Sequence, residues 1–480
     1  MSTSLTNLPE TQPARPGPPE TIKADVCIVG MGAAALTTAY LLVKEGASVV
    51  VLGHPGASPE CPVRSTAALS HGIDHRLTGC HRLHGAEMAR LLLLSQRTGI
   101  DLLASLCAET DIRCRFERLD GFLFGAPGAP GEYLAWHRAL AERAGAQDVQ
   151  LLEAARMGGS GPCLRFPGQG QFRMQPFLKG LGLAIERLGG RLLPEAQVCG
   201  IDPGPPVRIH TQGLGVVSAA AVLAARTPLD DLLEIQARLG TYHTHGIGAV
   251  VPRGAVARAH FADSLGTHAR LEGPLNRHQD LLVVEGEAHK LGRGHAPAVH
   301  QERLEAWARA RFPVLGVRFR WTDLVMEAPG GAPLIGPNPW GRSSILIAPS
   351  GMSAGMACQV GAGAILRDLL LGRPNPLAAL HDPLRVPAGG ALAFAPEARD
   401  LPWNYAEWLE PGSLLGQGGL APGSGAVLRR GLESQAVYRD HLGEVHELSA
   451  FCPTLGAPVR WNPGGRGWSC PCHGSGGVFF

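Results

Sequence analysis

Two glycines and an alanine near the N-terminus have the spacing of a turn that holds a nucleotide pyrophosphate. Gly30, Gly32 and Ala35 form the pattern G-x-G-x-x-A. Gly30 permits the tight turn, Gly32 lets the backbone approach a phosphate, and the small Ala35 lets a helix pack close to a strand. The N–H groups at the start of that helix carry a partial positive charge. The pattern therefore predicts a dinucleotide site.

The elements on either side of the turn are those that such a site needs. Residues 25–29 form an apolar run that predicts a buried strand, residues 33–45 predict a helix, and residues 48–52 predict a second strand. This context strengthens a motif that is weak alone. The acid that should bind the ribose hydroxyls, about 20 residues after the turn, is replaced by Gly53. Two interpretations stay open: a site that lacks this acid, or a nucleotide-binding fold that no longer binds well.

Length and composition limit the number of domains and the classes of partner. A chain of 480 residues predicts two or three domains. The formal net charge of +2 gives no electrostatic reason to expect a nucleic-acid or membrane partner. No apolar run reaches the ~18 residues of a membrane span. Residues 1–22 are polar and proline-rich, without the apolar core of a signal peptide, so we expect a flexible tail and a cytoplasmic protein.

A second strand–glycine–helix segment occurs near residue 350. Residues 344–348 predict a buried strand, the next loop contains Gly351 and Gly355, and a helix follows. This arrangement would place another helix N-terminus beside a loop, where a cofactor could be approached. From Gly416 onward the chain consists of short strand-like stretches and turns.

Several segments carry a resemblance to a known family. They are residues 30–35, 65–67, 116–124, 164–172, 176–190, 286–292 and 331–341. On these segments the chain, from about Lys23 to Phe480, resembles flavin-dependent oxidoreductases of the D-amino-acid oxidase and glycine oxidase superfamily, specifically those with a C-terminal Rieske-type domain.

The resemblance implies a fold class and a domain order. The fold class is an α/β Rossmann-like FAD-binding domain with an inserted α+β substrate domain, plus a small C-terminal all-β Rieske-like domain. Residues 1–22 are then a flexible tail, 23–373 the oxidoreductase with its discontinuous flavin domain, 374–415 a linker and 416–480 the Rieske-like domain.

The resemblance also implies which residues hold FAD. The implied cofactor-binding residues are Gly30, Gly32, Ala35, Thr66, Ala67, Val198, Gly351 and Gly355. Gly351 and Gly355 would lie near the isoalloxazine, with Thr66 and Ala67 near its other side, and the backbone of Val198 would contact the adenine.

The chain departs from the family pattern at several polar positions. Gly53 stands where the family has the acid that binds the ribose. Gly330 stands where the family has an acid before the Pro333-Leu334-Ile335-Gly336 segment. A family tryptophan-serine-glycine-glutamine segment is Trp321-Thr322-Asp323-Leu324, and the late flavin loop is Ala348-Pro349-Ser350 instead of threonine-glycine-aspartate. Each change removes a polar partner of flavin or substrate.

The C-terminal region holds an incomplete set of iron ligands. A Rieske centre needs two thiolates and two imidazoles, and the implied metal ligands here are Cys452, Cys470 and His473. Thr454 stands where the second histidine is expected. Ala457 stands where disulfide-bearing members of the family have the cysteine that bridges the two loops, so Cys472 has no matching cysteine. A [2Fe-2S] cluster, a zinc site built from the same thiolates, and a β-domain kept for packing or docking all stay open.

Other side chains are candidates for substrate chemistry. The histidines near the first flavin loop are His71, His75, His81 and His84. One of them could be a catalytic base, although chance clustering is the favoured reading in a chain with 19 histidines. His289 is a pocket candidate, and Arg173 or Arg270 could bind a substrate carboxylate or be structural. The sequence assigns no catalytic residue.

These observations favour one function and keep one alternative. We expect an FAD-dependent oxidoreductase that oxidises a small amine or amino-acid-like substrate, with electrons passing to oxygen or to a Rieske-type centre and an electron-transfer partner. The alternative is a non-catalytic partner or scaffold with a flavoprotein fold and degenerate cofactor sites.

Overall fold

A computed structural model of the chain describes most of its length. The described residues are 20–53, 66–125, 130–153, 161–196, 198–224, 238–290, 296–339, 342–349, 355–386, 420–430, 433–452, 458–462, 467–470 and 476–477.

The helices lie mainly in the first 386 residues. They are α1 (Ala33–Lys44), α2 (His75–His84), α3 (Ala86–Thr110), α4 (Pro130–Arg143), α5 (Met174–Arg187), α6 (Pro297–Arg309), α7 (Met356–Leu370) and α8 (Ala378–His381).

The strands form two large sheets and two small ones. They are β1 (Glu20–Val29), β2 (Val49–Leu52), β3 (Thr66–Leu69), β4 (Glu117–Phe124), β5 (Gln150–Leu152), β6 (Cys163–Arg173), β7 (Arg191–Leu193), β8 (Val198–Asp202), β9 (Val207–Thr211), β10 (Leu214–Leu223), β11 (Gly240–Pro252), β12 (Ala259–Asp263), β13 (His268–Pro274), β14 (Gln279–Lys290), β15 (Gly316–Glu327), β16 (Gly336–Asn338), β17 (Arg342–Ile347), β18 (Ser424–Arg430), β19 (Glu433–Arg439), β20 (Val445–Ser449), β21 (Arg460–Asn462), β22 (Gly467–Ser469) and β23 (Gly476–Gly477).

The first large sheet contains the predicted strand–turn–helix–strand unit. Its order is β16-β17-β10-β1-β2-β7, and β17, β10, β1, β2 and β7 are parallel. The apolar runs of β1 and β2 are buried on both faces, as is typical of strands in a parallel sheet. β1 begins at Glu20, and Ile22 is buried, so the first strand starts inside the segment predicted as a flexible tail.

Three helices on one face of this sheet approach each other through glycines. A Cβ added to Gly99 of α3 would overlap the carbonyl oxygen of Ala357 in α7. A Cβ added to Gly363 of α7 would overlap the side chain of Thr37 in α1. The backbones of α1, α3 and α7 therefore pack at distances that only glycine allows.

The second large sheet corresponds to the predicted substrate domain and has two different faces. Its order is β15-β11-β14-β13-β12-β4-β6-β3, antiparallel except for the parallel pair β12–β4. Ile247 and Ala249 share a core with Leu304 of α6, so one face is covered by that helix. Ala262, on the other face, shares a core with Leu77 of α2. We call these the α6 face and the α2 face.

The segment after α7 is packed, although its composition predicts a linker from residue 374. His381 in α8 is fully buried, donates from Nδ1 to the carbonyl oxygen of Pro333 at 3.0 Å, and accepts from Ser95 Oγ at 2.8 Å. Arg385 is also buried and donates to the carbonyl oxygens of Ala332 and Pro333. The hydrogen bonds of His381 and Arg385 are made to residues that are distant in the chain. The composition of the segment alone therefore did not predict that it packs against the flavin domain.

The short strands predicted after residue 416 form two antiparallel sheets, β18-β19-β20 and β21-β22-β23. Cys452 and Cys470 are buried in one core with Val459 and Trp468. The Rieske-type identity of this region stays a prediction.

One helix of the described chain, α3, is long and apolar enough to cross a membrane by length and composition. Half of its apolar window is buried against the rest of the protein, and the core helix of a globular domain has the same properties. The expected cytoplasmic location stays a prediction.

Candidate functional site

Four parallel strands end together at one edge of the first sheet. Gly30 N donates to Leu52 O at 2.8 Å, immediately after β1 and β2. Ala224 N donates to Val29 O at 2.8 Å, and Ala348 N donates to Leu223 O at 2.9 Å, immediately after β10 and β17. The carboxyl edge of such a sheet is where nucleotides bind.

Two helices begin at this edge without a capping side chain. Gly32 is the N-cap of α1, and Gly355, with φ +86°, is the N-cap of α7. A Cβ added to Gly32 would meet no atom within 4 Å, so there is open space beside the turn. Uncapped N–H groups facing open space fit the pyrophosphate of a dinucleotide. The residues present at the first turn therefore fit FAD.

The structure brings most of the implied cofactor residues to this edge. Ala35 is fully buried in α1, and β3, which begins with Thr66 and Ala67, packs against α7. Val198 shares a core with Val29 and Leu52, the last residues of β1 and β2. Val198 is the first residue of β8.

Two of the predictions fall where the structure gives no description. Gly351 lies outside the described residues, as does the side chain of Thr66.

Gly53 occupies the position of the missing ribose acid because a backbone fills that space. Gly53 N donates to Leu193 O at 2.8 Å, and a Cβ at residue 53 would overlap the carbonyl group of Pro194. The β2–β7 pairing therefore requires glycine here. The loss of a ribose partner stays a prediction, and the packing of the sheet explains why no side chain stands at this position.

A similar exchange occurs at Gly330, where the family pattern has an acid. Gly330 and Gly331 have φ of +78° and +73°. A Cβ on Gly330 would lie 2.6 Å from His84 Cδ2, and one on Gly331 would lie 2.6 Å from Arg76 Cγ. The side chains of α2 thus occupy the space that larger residues would need.

Arg76 links this turn to the start of α7. Its guanidinium lies 3.6 Å from the position of a Cβ on Gly355 and 2.7 Å from Asp74, with which it forms a buried ion pair. Burial opposes ionisation of Asp74, but the charges of Arg76, His75 and His268 outweigh it and lower its pKa to about 2. A buried, ionised pair therefore lies beside the second helix N-terminus.

A second buried ion pair lies on the α2 face of the substrate sheet. Arg270 Nη1 is 2.5 Å from Glu285 Oε2, and Arg270 is 8% exposed. His260, directly opposite Arg270 in the β12–β13 ladder, is 3% exposed. Neither nitrogen of His260, nor Arg270 Nε, has a hydrogen-bond partner among the described residues. Burial, and then the charge of Arg270, lower the pKa of His260 to about 3, so the imidazole is neutral at pH 7.

His268 connects the two ion pairs. Its pKa is lowered to about 4, chiefly by burial, and it interacts electrostatically with Asp74 and Arg76 on one side and with His260 on the other. The buried polar row of the α2 face is Asp74, Arg76, His268, His260, Arg270 and Glu285. Sequence reasoning named only Arg270, because the others lie on separate elements.

The remaining histidine candidates do not converge on one point. His71 Nε2 donates to the carbonyl oxygen of Pro167 at 3.1 Å, and His84 Nε2 to that of Pro329 at 3.3 Å. Both interactions are structural. His289 lies in a group of histidines that includes His300 of α6.

The structure describes two of the three implied iron ligands. Cys452 and Cys470 are buried in the same small core, as ligands of one ion would need to be. His473 and Thr454 lie outside the described residues. The sequence of these loops therefore offers three cysteines, Cys452, Cys470 and Cys472, but only one histidine, His473, and this donor set does not fit a two-cysteine, two-histidine cluster.

A family comparison covers the first three quarters of the chain. The profile described as "DAO: FAD dependent oxidoreductase" matches residues 25–369.

The relatives found by sequence have iron–sulfur names. One is YhfW of Bacillus subtilis (strain 168), whose name calls it a Rieske 2Fe-2S iron-sulfur protein; it is 24% identical over 96% of this chain and 91% of its own length. Another is the cytochrome b6-f complex iron-sulfur subunit of Prochlorococcus marinus (strain MIT 9301), 33% identical over 22% of this chain and 56% of its own length.

Solved structures share the fold of the larger part of the chain. Glycine oxidase from Geobacillus kaustophilus aligns with a TM-score of 0.60 at 16% identity, covering 76% of this chain and 99% of its own. L-proline dehydrogenase from P. horikoshii aligns with a TM-score of 0.60 at 14% identity, covering 77% and 98%.

The open space at Gly32 leads to a prediction for cofactor binding. Gly32→Ala should fold normally, since φ is −79° and the methyl meets no protein atom, but it should occupy space beside the turn. We expect the Kd for FAD to rise roughly tenfold, or ~1.4 kcal/mol, in fluorescence titrations.

The matched control is Gly79→Ala in α2, where a Cβ also meets nothing within 4 Å. Equal FAD affinity in Gly32→Ala and wild type would show that the turn does not hold the pyrophosphate.

Proposed function

Since the chain belongs to the DAO family of FAD-dependent oxidoreductases, we propose that it oxidises a small amino acid or related amine that binds on the α2 face of its substrate sheet. One observation carries the substrate class. His260 and Arg270 are buried neighbours whose ring nitrogens and Nε have no hydrogen-bond partner among the described residues.

Buried donors of this kind are costly unless something pairs with them. A carboxylate supplies acceptor oxygens, matches the guanidinium fork, and can also accept the single N–H of a neutral imidazole. Since His260 is neutral at pH 7 and Arg270 is charged, an anion binds here without displacing a proton. A small carboxylate-bearing substrate therefore fits the site.

The acidic members of the row suit the other end of such a substrate. Glu285 and Asp74 are each paired with an arginine, so the row holds charges of both signs. A zwitterionic amino acid matches that distribution better than an anion or a cation alone. An apolar cluster lies on the α2 face beside Glu285, and it consists of Leu281, Val283, Phe319 and Trp321.

The chain's own residues supply the place for FAD. The uncapped starts of α1 and α7 would hold it, and Arg76 adds a positive charge beside α7. When bound, FAD accepts the two electrons removed from the substrate. The protein's part is to orient the substrate, to exclude water and to set the local charge.

The C-terminal region supports a Rieske-type ancestry more than a working cluster. The names of the sequence relatives, and the buried Cys452 and Cys470, favour the ancestry. Because Thr454 stands where a histidine ligand is expected, our proposal includes no electron transfer through this region. We propose dioxygen or an external acceptor for reoxidation.

The alternative is a non-catalytic partner with a flavoprotein fold, and the replacements at Gly53 and Gly330 favour it. The two functions are separated by purifying the full chain, adding FAD, and mixing the complex without oxygen with a panel of amino acids and N-methylated amino acids. Bleaching of the flavin absorption by a panel member supports the enzyme. A chain that takes up no FAD, or whose bound FAD no panel member bleaches, supports the alternative.

Arg270 provides a sharper prediction. Arg270→Lys keeps the positive charge beside Glu285 but removes the planar fork and Nε. We expect the Kd of the FAD-loaded protein for benzoate, read from the flavin spectrum, to rise about tenfold, or ~1.4 kcal/mol.

The control is Arg303→Lys, which also changes an arginine paired with a glutamate but lies on α6, on the other face of the sheet. A benzoate Kd that changes equally in both variants, or in neither, would contradict the assignment of Arg270.

The incomplete ligand set leads to a prediction about iron. The purified chain, expressed with cluster-assembly machinery, should lack stoichiometric iron and acid-labile sulfide. Thr454→His adds the missing imidazole, and we expect it to gain both if Cys452, Cys470 and His473 are the other ligands. Two irons and two sulfides in the wild-type chain, lost in Cys470→Ser, would overturn this view.

A further inference from the structure

Three histidines from three elements meet on the α6 face of the substrate sheet, away from the buried polar row. His245 lies in β11, His289 in β14 and His300 in the first turn of α6. One nitrogen from each of them lies within 4.8 Å of the other two. His245 and His300 are buried, and His289 is half-buried.

The backbone of β14 is distorted where this cluster forms. Glu287 has φ +53°, which non-glycine residues seldom adopt, and the β11–β14 register shifts between His243 and His245. Even-numbered residues before this point, such as Val284, face α6, so regular alternation would turn His289 to the other side. The bulge therefore brings His289 to the α6 face.

The imidazole rings are stacked together. Ring centroids are 4.4 Å apart for His289 and His300, 4.6 Å for His245 and His300, and 5.2 Å for His245 and His289. Burial, and then repulsion from His300 and His289, lower the pKa of His245 to about 3. Neutral imidazoles with available lone pairs are the form in which histidine binds metals.

A different group contacts Nδ1 of each ring. Nδ1 of His245 is 3.0 Å from Thr322 Oγ1, Nδ1 of His289 is 3.3 Å from Glu287 O, and Nδ1 of His300 is 3.1 Å from Glu287 Oε2. Arg303 lies 3.2 Å from the same carboxylate and supports its charge. Metal-binding histidines usually donate their second N–H to a carboxylate, a carbonyl or a similar group. The Nε2 atom of His245 has no hydrogen-bond partner among the described residues.

We propose that His245, His289 and His300 bind a divalent transition-metal ion of the Zn²⁺ class through one ring nitrogen each. Nitrogens bound to Zn²⁺ at about 2.0–2.1 Å lie roughly 3.4 Å apart, so the three nitrogens, which lie within 4.8 Å of one another, must move closer together around the ion. Imidazole ligands favour Zn²⁺ and its neighbours over Ca²⁺ or Mg²⁺. Three protein ligands leave a fourth position for water or for the adjacent His243.

The ion would fasten the start of α6 to β11 and β14. Its site is on the opposite face of the sheet from Arg270, so the proposal does not depend on the flavin or the substrate. It is also separate from the cysteines of the C-terminal region.

The test uses the full-length chain, stripped with a chelator and titrated with Zn²⁺ by calorimetry and with Co²⁺ by visible absorption. We expect one histidine-type site, with d–d bands for Co²⁺ and a melting temperature that rises with Zn²⁺. His245→Gln should weaken Zn²⁺ binding at least about 100-fold and abolish the thermal shift. Glu287→Gln, which removes only an orienting carboxylate, should weaken it about tenfold.

The matched control is His278→Gln, an exposed histidine near the other end of β14, which should bind like wild type. If His245→Gln fails to fold, the half-buried His289→Gln provides the same comparison. Unchanged affinity in the histidine variants would overturn the proposal. So would a Co²⁺ spectrum dominated by thiolate charge transfer, which would assign the ion to Cys452 and Cys470.

Discussion

The close approach of helices α1, α3 and α7 is the constraint on which the nucleotide site depends. Gly99 and Gly363 let these helices touch through their backbones, where any side chain would overlap a neighbour. Because α1 and α7 are locked together over their lengths, their uncapped starts lie at one edge of the parallel sheet. A larger residue at either glycine would separate the helices and misplace both N-termini.

The same requirement for space explains why acidic residues are missing at two family positions. The backbone of Pro194 fills the space beside Gly53, and the imidazole of His84 fills the space beside Gly330. These glycines are therefore required by the present packing. In our proposal, the backbone N–H groups at the starts of α1 and α7 would hold FAD in place of a carboxylate that binds the ribose.

The substrate sheet separates two kinds of polar chemistry by strand alternation. On the α2 face, Arg270 and Glu285 form an ion pair beside His260, whose ring nitrogens have no hydrogen-bond partner in the described part of the chain. On the α6 face, a bulge at Glu287 brings three histidines together. Buried polar groups are costly unless something compensates for their desolvation, and the proposed substrate and the proposed ion would each provide this compensation.

The sequence by itself determined the glycine turn, the helix and strands around it, and the short strands near the C-terminus, because these depend on local spacing and periodicity. It also located Cys452 and Cys470. Only the tertiary structure decided that β1 starts at Glu20, that Arg385 docks on the flavin domain, and that His260 faces Arg270. The pairing of β1 with β10 and the docking of Arg385 join residues that are distant in the chain. The register that sets His260 opposite Arg270 joins two consecutive strands, but it has no local signature in the sequence.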